Sequence, residues 1–76
     1  MVRIKIKKLL DKKDKSIYWL ANNTNLTYAG LHRIANNQTD GIKFSTLNEI
    51  MSALDINDFN EILEIVPEED QPPGQN

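Results

Sequence analysis

The sequence predicts an all-α domain of five short helices, on three observations. Apolar residues recur at helical spacing in five separate stretches. Hydroxyl, Asn or Asp residues stand ahead of most of these stretches, where a helix start needs a side-chain acceptor. Seventy-six residues with 39 % hydrophobic content and no cysteine suffice for one small core without disulfides or a thiolate metal site. The expected organisation is one domain over residues 1–66, followed by a disordered, acidic, proline-rich tail over 67–76 (EEDQPPGQN after Pro67), which has nothing to bury.

Ile6, Leu9 and Leu10 form an i, i+3, i+4 set and mark the first helix. Just ahead, Val2-Arg3-Ile4-Lys5-Ile6 alternates apolar and basic residues with the period of a strand. Ser16 caps the second helix, whose inner face is Ile17, Leu20, Ala21 and Thr24. Thr27 caps the third, with Leu31, Ile34 and Ala35 inward. Leu47, Ile50, Met51 and Leu54 make the fourth stripe, started by Ser45 or by the turn before it. Phe59, Ile62, Leu63 and Val66 repeat that spacing as a fifth helix, capped by Asn57 or by Asp58 in capping-box register with Glu61. Ile62 to Val66 is also rich in β-branched residues, so the two ends have the composition to pair as a short β-ribbon. The expected core is Leu20, Ala21, Leu31, Ile34, Leu47, Ile50, Leu54 and Phe59.

Between the second stripe and the Thr27 cap lie only Asn25 and Leu26. So short a connection forces the two helices to cross steeply, as a helix-turn-helix does when its second helix enters the major groove of DNA. A plain helical hairpin in a small bundle has the same stripes. Asn25 stands where the chain reverses, a place that usually takes a positive φ, which asparagine tolerates.

Charge and composition narrow the partners. The net charge of -2 hides a division: residues 1–43 carry nine Lys and Arg against Asp11, Asp14 and Asp40, a net of +6, and residues 44–76 carry eight acids and no base. The first half suits a polyanion, the second solvent or a basic partner; a solvated lysine-rich helix with an acidic tail has the same pattern. His32 is the only histidine, and no Ser-His-Asp set, metal cluster or phosphate loop is present. An enzyme is therefore not expected, nor any cofactor or metal. No apolar run approaches the roughly 20 residues of a membrane span, and the basic start lacks a secretory core, so a cytoplasmic protein without membrane contact is expected.

The pattern S-x-x-x-L-A-x-x-T-x-L-T-x-x-x-L-x-R-I, then Ala35-Asn36-Asn37-Gln38-Thr39 and Ile42-Lys43-Phe44-Ser45-Thr46-Leu47, resembles the Cro and phage-repressor type of helix-turn-helix protein, the xenobiotic-response-element family. The resemblance spans roughly residues 3 to 66. It implies a compact five-helix, lambda-repressor-like domain of bacterial or phage origin, a transcription regulator that binds operator DNA as a dimer. Carried over position by position, it implies a base-reading face of Thr27, Tyr28, Ala29, His32 and Arg33 on a recognition helix of about 27–35. Arg33 has the donors for a guanine edge and Ala29 the methyl for a thymine contact. Arg33 in a surface ion pair and His32 as a solvated position are the structural alternatives. Ser16 with the start of the second helix, Asn37, Gln38 and Lys43 would position phosphates.

Three positions depart from the family pattern. Gly30 falls inside the recognition helix, where glycine costs on the order of 1 kcal/mol relative to alanine. Asn25 stands where glycine is common. Trp19 replaces a polar residue off the core stripe, and with Tyr18 it offers an anchor for a protein partner; a ring packed on a neighbouring helix is the other reading. A small antirepressor or adaptor that uses the scaffold to bind a repressor or other regulator protein is thus the alternative function.

Overall fold

The computed structural model describes residues 1–67, as two strands, four α-helices and one 3-10 turn. In chain order these are β1 (Val2–Ile4), α1 (Ile6–Lys12), α2 (Ile17–Asn22), α3 (Tyr28–Ala35), α4 (Phe44–Ala53), the 3-10 turn Phe59–Glu61 and β2 (Leu63–Ile65). The disordered tail expected beyond Pro67 lies outside the described residues.

Side-chain caps start the two helices of the motif. Ser16 Oγ accepts the Trp19 amide at 3.0 Å, and Thr27 Oγ1 accepts the Gly30 amide at 3.0 Å. Helix α4 begins at Phe44 after Lys43, with no side-chain cap, so Ser45 does not play that part.

Helices α1, α3 and α4 end alike. The residue beyond each C-cap, Asp14, Asn37 and Asp55, has a φ of 57°, 57° and 56°. After α3, the Asn37 amide donates to the Ile34 carbonyl and the Gln38 amide to the Arg33 carbonyl, both at 3.0 Å. Such paired bonds close a helix through one left-handed residue, a role that Asn and Asp fill with less strain than other side chains.

Helix α2 ends differently, and here Asn25 departs from expectation: it is not among the described residues with positive φ. The carbonyls at the end of α2 are taken up by side chains. Asn23 Nδ2 donates to Trp19 O at 2.8 Å and Thr24 Oγ1 to Leu20 O at 2.9 Å. The Asn25 amide then donates to Glu49 Oε1 of α4 at 2.8 Å, so the turn is held from outside.

In place of a fifth helix there is one 3-10 turn. Asp58 accepts the Asn60 amide at 2.9 Å, and the chain passes through buried Ile62 into β2. Val2 faces Ile65, Arg3 faces Glu64 and Ile4 faces Leu63 in an antiparallel pair. The apolar spacing from Phe59 to Val66 is that of a helix, but the β-branched Ile62, Ile65 and Val66 and the presence of β1 as a partner decide for a strand over Leu63–Ile65. Phe59 consequently sits 60 % exposed rather than in the core.

The core unites all four helices. Ile6, Leu9 and Leu10 of α1, Leu20 of α2, Leu31 and Ala35 of α3, and Leu47 and Ile50 of α4 are buried together with Leu54, Ile56 and Ile62. Ala21 and Ile34, expected inside, are half-buried at its margin, as is Trp19.

Candidate nucleic-acid interface

Burial of Leu31 and Ala35 turns one face of α3 inward, and the remainder of its surface follows from helical geometry. Tyr28, Ala29, His32 and Arg33 are all exposed. Arg33 makes no ion pair or side-chain hydrogen bond among the described residues, so its guanidinium donors face solvent. It shares a groove with Lys43, Thr39 and Thr46, where the loop after α3 meets the start of α4. Thr39 and Thr46 belong to the family pattern in the sequence but have no contact role there. Their placement beside Arg33 depends on the fold of that loop.

Thr27 is exposed but occupied: its oxygen caps α3, leaving its hydroxyl proton as a donor. Gly30 is explained by the same cap. A Cβ there would sit 3.0 Å from Thr27 Oγ1, closer than most real Cβ contacts. The glycine inside α3 thus belongs to the capping geometry.

Asn37, exposed at the end of α3, has partners of its own. Its Oδ1 accepts the Ile4 amide at 2.8 Å and its Nδ2 donates to the Ile4 carbonyl at 3.2 Å, so the side chain acts as a further partner for β1. Both of its amide groups are committed, and it ties the end of α3 to the terminal sheet. Gln38 and Ser16 are exposed, the latter with its oxygen used as the α2 cap.

Tyr18 and Trp19 separate. Trp19 is half-buried against the core, with Lys15 Nζ 4.8 Å from the ring centroid, a cation–π arrangement. Tyr18 is 67 % exposed and leans over α3, its ring centroid 6.3 Å from that of Tyr28. Tyr28 in turn stacks on His32, one helical turn on, at 6.1 Å and 24°. Tyr18 therefore joins the α3 surface. No sequence signal within α2 foretold this, because it depends on the crossing of two helices.

Among the described residues, no group of three or more His, Cys, Asp or Glu is placed to hold a metal ion, and no helix is long and apolar enough to cross a membrane.

Two consecutive capped helices, a turn closed by side chains, and an outward second helix bearing an exposed arginine define a helix-turn-helix protein. The chain belongs to the Cro/C1-type helix-turn-helix DNA-binding family, whose model matches residues 5–68. Comparison with curated proteins and with solved structures finds no match.

Proposed function

We propose that this protein is a sequence-specific transcription regulator of bacterial or phage type, working in the cytoplasm, with α3 laid in the major groove of an operator. The observation that carries this reading is Arg33, exposed and without a partner among the described residues on the outward face of α3 in a DNA-binding family. Its guanidinium suits the paired acceptors of a guanine edge. Ala29 offers a methyl contact, Thr27 and Tyr28 offer hydroxyl donors, and His32 adds a ring nitrogen to the same face. Lys43, Gln38 and Ser16 serve the phosphates.

Operator binding by this family goes with symmetric dimers, and the face for a second copy is a groove lined by Leu47, Met51 and Ile56. Phe44, 88 % exposed, and Phe59, 60 % exposed, flank it. The same apolar groove supports the second reading, an adaptor or antirepressor that grips another regulator protein there and through Tyr18.

Selection from a pool of random duplexes at physiological salt separates the two. A regulator enriches a common half-site; an adaptor enriches none. Sedimentation of Phe44→Ser then tests the dimer: the variant stays monomeric where the parent dimerises, and an unchanged dimer would place the contact elsewhere.

A further inference from the structure

The row of rings formed by Tyr18, Tyr28 and His32 is not explained by folding alone. Tyr28 is the first residue of α3, half of its surface is in water, and it adds nothing to the buried core. Tyr18 lies 6.3 Å from it on one side, and His32 6.1 Å away on the other. The Tyr28 hydroxyl has no hydrogen-bond partner among the described residues. A large, mostly apolar ring is thus held in place at the leading end of the recognition helix, next to exposed Ala29.

We infer that Tyr28 reads the C5-methyl groups of thymines in the major groove, with Tyr18 and His32 as positioning residues. The inference rests on the operator-binding reading and deepens it. Among base edges in the major groove, the apolar feature is the thymine methyl, so an apolar ring presented there discriminates thymine from cytosine. Tyr28 has few torsions, and a ring on either side limits them further. Ordering it on DNA therefore costs little. Tyr18 comes from α2, so the geometry of the turn between the helices transmits directly to the reading ring. Arg33, farther along the same helix, complements it with a guanine contact, and the operator half-site should contain both base types.

The test uses the full chain and the duplex enriched from a random pool, with deoxyuridine replacing each thymine in turn. That exchange removes one methyl and leaves base pairing intact. At one or two positions the parent protein should bind roughly fourfold more weakly per methyl lost, the worth of one buried carbon. Tyr28→Ala should bind thymine and uracil duplexes equally at those positions. Tyr18→Ala should shrink the thymine-to-uracil ratio, and Tyr18→Phe should restore it. Arg33→Ala should weaken binding while keeping the ratio. An enriched duplex indifferent to uracil at every position, or a Tyr28→Ala variant that keeps the full uracil penalty at every sensitive position, would overturn the assignment and leave operator binding standing. Failure to enrich any duplex would remove the operator reading itself.

Discussion

Gly30 and Thr27 show how one atom constrains two choices. Thr27 Oγ1 accepts the Gly30 amide, and the same oxygen occupies the space beside a Gly30 side chain. Thr27→Ala should lose about 1 kcal/mol of stability, as removal of a capping hydroxyl does. Gly30→Ala should bring the helix-propensity gain of about 1 kcal/mol only when the hydroxyl is gone. A double-mutant cycle by urea denaturation checks this; additive effects would mean the contact exerts no constraint. The left-handed residues make a second case. Asp55 has a φ of 56° just after α4. Asp55→Gly should raise stability by up to about 1 kcal/mol, because glycine occupies that conformation without a Cβ penalty.

At the scale of elements, what was readable in the sequence was local. Ser16 and Thr27 stand beside the helices they cap, so their roles follow from neighbours three residues away. The ties that orient elements were not readable. Asn25 meets Glu49 across 24 residues, and Asn37 meets Ile4 across 33, and neither pairing has a periodicity to betray it. The stretch from Phe59 to Val66 was ambiguous because helix-spaced and β-branched residues coincide there. The sequence leaves Trp19 open between an outward anchor and a packed ring, because α2 has only six residues, too few for one stripe to define its buried face. The Glu49 contact is open to test. Glu49→Ala should cost roughly 1.5 to 3 kcal/mol, the usual worth of a hydrogen bond to a charged group, and should speed amide exchange at Asn25. Unchanged exchange at Asn25 would mean that the turn holds itself.

For the whole molecule, the core is small and shared, so each large residue in it weighs heavily. Leu31 is fully buried at the junction of the helices. Leu31→Ala should cost roughly 2 to 5 kcal/mol, a large part of the stability of a domain this size, and thermal melting should show a partly unfolded population at 37 °C. A loss below about 1 kcal/mol would contradict the placement of α3 against this core. Charge is divided at the same scale. The +6 of residues 1–43 includes Arg33 and Lys43, whereas residues 44–76 are wholly acidic in their charges. A net negative protein can thus keep its bases in the stretch that holds Arg33 and Lys43 while the acids elsewhere disfavour indiscriminate adsorption.

The central claim is that α3 reads base sequence while Lys43 holds the phosphate backbone. It is tested most directly by measuring affinity for the enriched duplex and for a scrambled one, across a series of salt concentrations, in the parent, Arg33→Ala and Lys43→Ala. Arg33→Ala should lose roughly 1 to 3 kcal/mol on the enriched duplex and little on the scrambled one. Lys43→Ala should weaken both about equally and make the salt slope shallower by about one unit. The account is contradicted if the two variants lose affinity in the same way on both duplexes, because α3 would then be contributing charge and not recognition.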